Sequence, residues 1–253
     1  MKALDRRNKI LAQLEEQHTV YITDLAQQLN VSAMTIRRDL SNFSEQGLVT
    51  IVHGGAVLNR GAAFERSRRF RKTQFQAEKR RIAAFCAELV SEGSSIFIDC
   101  GSTPEEIAEA ITDKKNIVVL TNSLPAANIL SSAKDLKLIM TPGEFIPKHQ
   151  NFIGQLTSDF IRKFNIDILF LGCDGLDTIH GATNPHIADS LTKRNIIKQA
   201  KKIVLGIDHT KIGVSYFMSI ATLDEINLVV TDTAADPAII EELRQAGMNI
   251  VQV

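Results

Sequence analysis

The chain has 253 residues, 44% of them apolar, and equal totals of basic and acidic residues, 29 each. That length fills one large or two modest domains with a sizeable core. Residues 1–9 are polar and charged, and no apolar run approaches the ~20 residues of a membrane span, so a secretory leader and a transmembrane helix are not expected and the chain reads as cytoplasmic. Cys86, Cys100 and Cys173 are far apart and lack CxxC spacing, which argues against a disulfide scaffold or a zinc site, and no metal or cofactor is expected.

The zero net charge hides an asymmetry. Residues 1–81 hold 15 Lys and Arg against 8 Asp and Glu, and residues 82–253 hold 14 against 21. A basic front on an acidic body suits a polyanion at one end of the molecule.

In chain order, residues 5–16 form a first helix with Ile10, Leu11 and Leu14 on its apolar stripe and Asp5 as candidate cap. Residues 21–30 make a short amphipathic helix through Ile22, Leu25 and Leu29. After a tight turn at 30–32 a second helix begins, with Ile36, Leu40 and Phe43 at i, i+4 and i+7 on one face. Ser32 stands where its hydroxyl caps the first turn. Ser32, Ala33 and Met34 are small or flexible enough to let the backbone approach base edges. Arg37 and Arg38 then reach guanines or phosphates. The competing reading is a surface helix with a solvated basic pair. Next come two β-prone runs, 47–52 and 56–58, around His53-Gly54-Gly55. They predict a hairpin, the wing of a winged helix-turn-helix.

Here the residues become specific. Val-Ser-x-Met-Thr-Ile-Arg-Arg-Asp-Leu at 31–40 and His-Gly-Gly-Ala at 53–56 resemble the N-terminal signature of the DeoR family of bacterial transcriptional regulators. The resemblance implies DNA contacts from Ser32, Met34, Thr35, Arg37, Arg38 and His53. Where members usually carry an arginine two places before the histidine, this chain has Ile51.

Residues 59–81 change character, with Arg60, Arg66, Arg68, Arg69, Arg71, Lys72, Lys79, Arg80 and Arg81 interleaved with Phe64, Phe70 and Phe75. This reads as a basic linker between domain 1–58 and domain 82–253. Its charges are either a solvated face or extra phosphate contacts, and its aromatics are packing anchors.

From residue 82 strands and helices alternate. Strands are predicted at 95–99, 116–121, 136–140, 167–171, 202–207, 226–231 and 249–253, and helices at 104–111, 124–130, 152–164, 187–200 and 237–246. Near-continuous Ile/Val/Leu runs between helices predict an α/β domain, a mostly parallel sheet with helices on both faces. Ligands bind such sheets beyond the strands' carboxyl ends. There the chain reads Asp99-Cys-Gly101-Ser102-Thr103-Pro104 and Thr121-Asn122-Ser123. Both turns present backbone N–H groups at a helix start, a geometry that binds phosphate, with Ser102 or Thr103 as cap and Pro104 at the first helical position. The same residues also suit an ordinary capped helix whose dipole Glu105 and Glu106 complement. Asp174, Lys193 and Lys211 lie near other glycine-lined strand ends, where lysines neutralise phosphate or simply face solvent.

These segments, together with Gly143-Glu-Phe, Gly172-Cys-Asp-Gly175, Gly181-Ala-Thr and Asp208-His-Thr-Lys-Ile-Gly213, are similar to the effector-binding domain of DeoR-type regulators, itself similar to ribose-5-phosphate isomerase and CoA-transferase domains. The resemblance implies a repressor of a sugar or nucleoside catabolic operon, released from operator DNA by a phosphorylated sugar. The expected ligand set is Asp99, Gly101, Ser102, Thr103, Asn122, Ser123, Asp174, Lys193 and Lys211. Asp-Cys-Gly, Gly-Glu-Phe, Gly-Ala-Thr and Asp-His-x-Lys resemble segments of the deoxyribonucleoside-operon repressor for which the family is named, which makes deoxyribose 5-phosphate the first effector to try. A homodimer or tetramer is expected, because operators are read symmetrically. The rival class is a sugar-phosphate isomerase or transferase with an attached nucleic-acid module, using Asp99, Glu144, Asp174, His180 or His186 as acid and base. A third reading makes the α/β domain an oligomerisation platform only.

Overall fold

A computed structural model describes residues 3–59 and 68–253, which divide into two compact units, Met1–Phe70 and Arg71–Val253. Arg60, Phe64 and Arg66 of the basic stretch lie outside the described residues, as do the side chains of Arg69 and Phe70.

The first unit runs α1 (Ala3–Gln17), β1 (Thr19–Tyr21), α2 (Ile22–Leu29), α3 (Ala33–Glu45), β2 (Val49–Val52) and β3 (Gly55–Leu58). Ile10 and Leu14 of α1, Leu25 of α2, and Ile36, Leu40 and Phe43 of α3 are buried in one cluster with Leu48, Val49 and Ala56. The helical spacing seen in the sequence is therefore the packing face. Asn30 takes a left-handed conformation at the end of α2, φ 51°, which turns the chain within three residues into α3. Ser32 caps α3 by accepting from the Thr35 backbone N–H at 3.2 Å. The wing is present, and it carries a strand that the sequence reading missed: β1 pairs with β3, giving the order β1-β3-β2. Asp5 does not cap α1, because it lies within the helix, which is described from Ala3 onward. It stands in the first turn, where its charge complements the helix dipole.

The stretch 59–81 is not all connector. It contains α4 (Arg68–Thr73) and the start of α5 (Gln76–Glu88), and the division between units falls after Phe70 rather than at 58 and 82. One face of α5, through Lys79, Ile82, Ala83, Cys86 and Ala87, is buried.

The second unit continues β4 (Ser95–Ile98), α6 (Ser102–Ala110), β5 (Ile117–Thr121), α7 (Leu124–Leu130), β6 (Leu136–Met140), β7 (Glu144–Ile146), β8 (Asn151–Ile153), α8 (Gln155–Ile161), β9 (Ile166–Leu171), β10 (Gly175–Asp177), β11 (Gly181–Asn184), α9 (Ile187–Ile197), β12 (Ala200–Gly206), β13 (Met218–Ala221), β14 (Leu228–Thr231), α10 (Pro237–Gln245) and β15 (Ile250–Gln252). Seven strands form one parallel sheet in the order β15-β14-β12-β9-β4-β5-β6. Alternate residues bury on opposite faces. Ile96 and Ile98 pack in one apolar cluster with Ile82, Ile107 and Ala126, and Phe97 packs in another with Ile161, Ile196 and Ile240. That two-sided burial is why the strands read as unbroken apolar runs.

Three expected elements differ. The helix predicted over 152–164 is β8 followed by α8, with Gly154 at the break. The helix predicted over 187–200 stops at Ile197, because Ala200 already pairs with Ile166 in the sheet. The helix after β4 begins at Ser102 behind Gly101, whose φ of 146° suits only glycine. Neither Ser102 nor Thr103 caps it, and Pro104 is third rather than first. Antiparallel additions, β7-β8 and β10-β11-β13, flank the sheet.

Candidate functional site

In the first unit α3 separates its roles by face. Ile36, Leu40 and Phe43 are buried, and Met34, Arg37 and Arg38 are exposed. Ser32 and Thr35 are tied to each other through their hydroxyls at 2.9 Å as well as through the cap. Asp39 is buried, and both of its oxygens are taken by arginines of α1: Arg6 Nε at 2.6 Å and Arg7 Nε at 2.8 Å. This double ion pair fixes α3 against α1. His53 is exposed in the turn between β2 and β3, next to the exposed Ile51 and Val52.

In the second unit the strand order reverses between β4 and β9. The chain winds from β4 outward through β5 to β6, then returns to the other side of β4 and winds through β12, β14 and β15. At such a switch point ligands bind in a crevice outside the strands' carboxyl ends, here beyond the loops 99–103 after β4 and 172–174 after β9, which meet where the Gly172 N–H bonds Asp99. The expected residues Asp99, Gly101, Ser102, Thr103 and Asp174 lie along these two loops, and Asn122 and Ser123 follow β5, the next strand. Lys211, in a 3-10 turn after β12, reaches the Cys173 carbonyl with its ammonium at 2.7 Å.

Lys193 of α9 contacts both loops. It is buried and ion-paired with Asp99 Oδ2, and it donates to the Gly172 carbonyl at 3.2 Å. Asp99 Oδ2 also accepts from the Gly172 N–H at 3.0 Å. Burial alone disfavours the Lys193 ammonium, but the charges of Asp99, Cys100 and Asp189 hold its pKa well above the usual lysine value. Its charge is thus spent inside the protein. Asp189, one turn before Lys193, accepts from Asn151 Nδ2 at 2.7 Å and Asn184 Nδ2 at 3.3 Å. Asn151, Asn184 and Asp189 were not among the expected residues. The signal available for Asp189 was its i, i+4 spacing from Lys193 on one helix.

Asp174 was expected to be available to ligand. It pairs instead with Arg71, Nη1 to Oδ1 2.8 Å. Burial works to raise its pKa, but Arg71, Lys211 and Lys193 outweigh burial and keep it below the usual carboxylate value. Ser123 uses its hydroxyl to cap α7 through the Ala126 N–H at 3.3 Å. By contrast, Asp99 Oδ1, Ser102 Oγ, Thr103 Oγ1, Asn122 Oδ1, Thr141 Oγ1 and Asn151 Oδ1 are buried without a hydrogen-bond partner. Five of these six follow the adjacent strands β4, β5 and β6, and the sixth begins β8, which bridges to Ser123. Buried polar atoms are normally paired, so this row of unpaired oxygens has capacity for hydrogen-bond donors such as hydroxyls, beside a helix start whose N–H groups suit an anion.

Of the acid and base candidates of the enzyme reading, Asp99 and Asp174 lie on the neighbouring loops after β4 and β9, paired with Lys193 and Arg71, and the other three lie elsewhere. Glu144 is exposed on β7, His180 is exposed beside Asp177 at the β10-β11 turn, and His186 caps α9 with Nδ1. Cys86 and Cys173 are buried, with thiol pKa values pushed up to about 12 by desolvation, so neither is a reactive thiolate. Among the described residues, no group of three or more His, Cys, Asp or Glu is placed to hold a metal, and no helix is long and apolar enough to cross a membrane.

Two family profiles match the chain, the DeoR-like helix-turn-helix domain over residues 6–61 and the DeoR C terminal sensor domain over residues 74–233. The glycerol-3-phosphate regulon repressor of Escherichia coli is 33% identical over 243 residues, covering 96% of each chain. The HTH-type transcriptional regulator IolR of Bacillus subtilis is 32% identical over 221 residues, covering 86% of each. Among solved structures, ribose 5-phosphate isomerase A of Methanocaldococcus jannaschii aligns with a TM-score of 0.41 at 15% identity over 54% of each chain. An exposed arginine pair on a capped helix, a wing behind it, and matches that together span most of its length establish that this chain belongs to the DeoR family of transcriptional regulators.

Proposed function

We propose that the protein represses a carbohydrate catabolic operon and leaves its operator when a small phosphorylated sugar or polyol enters the β4/β9 crevice. Arg37 and Arg38 serve as the main DNA contacts, with Ser32, Met34 and Thr35 shaping the approach to the bases and His53 reaching from the wing. The observation that carries the ligand reading is the row of buried, unpaired oxygens at Asp99, Ser102, Thr103, Asn122 and Thr141. A buried polar atom left without a partner costs about 1–3 kcal/mol, and a ligand's hydroxyl groups can supply such partners. Backbone N–H groups at the start of α6 and the hydroxyls of Ser102 and Thr103 suit a phosphate, and Asn122, Thr141 and the free oxygen of Asp99 suit sugar hydroxyls. Lys193 acts through Asp99, holding the carboxylate in place.

The E. coli relative's name points to glycerol 3-phosphate and the family resemblance to deoxyribose 5-phosphate, so these two lead the set of compounds to try. Ligand releases DNA only if it binds the non-DNA-binding arrangement more tightly. A thermal-shift series with phosphorylated and unphosphorylated sugars tests the crevice. A ligand at 100 times its Kd stabilises by about 2.7 kcal/mol, and only phosphorylated compounds are expected to do so. Stabilisation by neutral sugars alone contradicts the phosphate assignment. The same assay run with turnover detection tests the isomerase alternative.

A further inference from the structure

The chain segments that follow β4 and β9 are tied together by the stretch that the sequence marks as a linker. Arg71 pairs with Asp174 beyond β9, and the next residue, Lys72, reaches Glu105 in the first turn of α6, Nζ to Oε2 3.2 Å. Asp174 follows β9 and Glu105 lies in the helix that follows β4, so residues 71–72 bridge the two segments. The strap is held from behind. Lys79 donates to the carbonyls of Arg71 at 2.6 Å and Gln74 at 2.5 Å, with Asp208 beside it at 3.7 Å. Phe75 stands edge-on to the His209 ring at 4.6 Å, and His209 is fixed in turn by Asp232 at 2.9 Å. Phe75 itself is in the left-handed region, φ 50°, a conformation that an aromatic residue keeps only when its surroundings enforce it.

Among the described cations at these loops, Lys72 is paired with Glu105, and Lys193, Lys211 and Arg71 differ in how firmly they are held. Lys193, only 2% exposed, would strand the fully buried Asp99. Lys211 is bound to a backbone carbonyl. The Arg71–Asp174 pair is more open than Lys193–Asp99, with side chains 17% and 14% exposed, and Asp174 also faces the charge of Lys211. A guanidinium also matches phosphate oxygens in a two-pronged geometry that an ammonium lacks.

We infer that Arg71 is a ligand-binding residue: the phosphate of the crevice ligand takes its guanidinium from Asp174, and the strap is the element that changes partners when ligand enters. The inference rests on the crevice reading above and adds a residue that the sequence assigned to a linker. Arg71 is also the first residue of the second unit, next in the chain to Phe70 of the first. The exchange of partners thus occurs where the DNA-binding unit is covalently attached.

The test is calorimetric titration of the full chain with glycerol 3-phosphate, deoxyribose 5-phosphate, inorganic phosphate and unphosphorylated glycerol. Wild type is compared with Arg71→Gln, Arg71→Lys and Asp174→Asn. Arg71→Gln should weaken the phosphorylated probes by roughly tenfold or more, the loss of one charge-assisted hydrogen bond, and so narrow their advantage over glycerol. Arg71→Lys should restore part of that advantage, which a merely structural role for Arg71 would not. Asp174→Asn should tighten phosphate binding, because the competitor for the guanidinium is neutralised. Weaker binding in Asp174→Asn overturns the inference, since it makes Asp174 the ligand contact. Equal binding by wild type and Arg71→Gln overturns the inference alone, whereas a wild type that binds none of the phosphorylated probes removes the crevice reading and the inference together.

Discussion

Lys193 of α9 and Asp99 at the end of β4 form an ion pair shut away from solvent at the switch point of the sheet. Breaking one partner of such a pair strands a buried charge, at a cost of about 3–5 kcal/mol. Lys193→Met should therefore lower the urea midpoint of the second unit's transition, and adding Asp99→Asn should recover part of the loss. An unchanged midpoint in Lys193→Met would show that the pair does not form.

Adjacent residues of α3 should separate binding from folding. Arg37 is exposed and Asp39 is buried between Arg6 and Arg7. Arg37→Ala should leave stability within about 0.5 kcal/mol and remove about 1–3 kcal/mol of sequence-specific DNA affinity. Asp39→Ala should instead destabilise the first unit, because two arginines lose their partner. Equilibrium unfolding and competition binding on the same preparations check both. Undiminished sequence discrimination by Arg37→Ala would remove that side chain from base reading.

The readable parts of this chain are those where local chemistry decides. The α3 stripe and its Ser32 cap, the wing turn at His53-Gly54-Gly55 and the apolar strands of the parallel sheet all follow from spacing and burial. Pairing between distant segments is not written locally. β1 is three residues whose only hydrogen-bonded neighbour in the sheet is β3, 34 or more positions later, and β8 is three residues ahead of a helix into which its pattern merges. Strand order, and with it the switch point, depends on which crossovers form. Lys79 was misread because a basic run suggests solvation, while its ammonium is buried beneath two carbonyls. The expected ligand residues were legible as strand-end turns, but their mutual pairing was not: Asp174 with Arg71 and Asp99 with Lys193 are contacts over about 100 residues of chain.

Thr103 is 1% exposed, and its hydroxyl has no partner. Thr103→Val keeps the shape and removes the orphaned hydroxyl. It should leave the ligand-free protein as stable or more stable, by up to about 1–3 kcal/mol, while weakening sugar-phosphate binding. Thermal melts with and without glycerol 3-phosphate read both effects. A variant that is destabilised in the absence of ligand would mean that the hydroxyl has a protein partner.

Acid stability tests the opposite end of the central strands, where Asp167 stands near the start of β9. Asp167 Oδ2 accepts from the Ser95 N–H at 2.9 Å and its hydroxyl at 2.7 Å, and Lys201 holds the other oxygen at 2.8 Å. The Lys201 and Ser95 hydrogen bonds lower its pKa from 3.8 to about 2. A depressed carboxylate pKa contributes stability that is complete above the unfolded value and lost as pH falls through the folded one. The window is therefore about pH 4 to 2. Because the side chain is 39% exposed, solvent screening reduces the contribution to roughly 1 kcal/mol. Asp167→Asn should flatten the acid limb of the stability curve there, and an identical limb would contradict the assignment.

The repressor account is tested most directly by fluorescence anisotropy of the full chain on its operator-region DNA, titrated with phosphorylated and unphosphorylated sugars. The account predicts that one phosphorylated compound, at micromolar concentration, releases the DNA from wild type, and that Thr103→Val needs more of it. Tight DNA binding that no phosphorylated sugar alters would contradict the account and leave the crevice without a regulatory role.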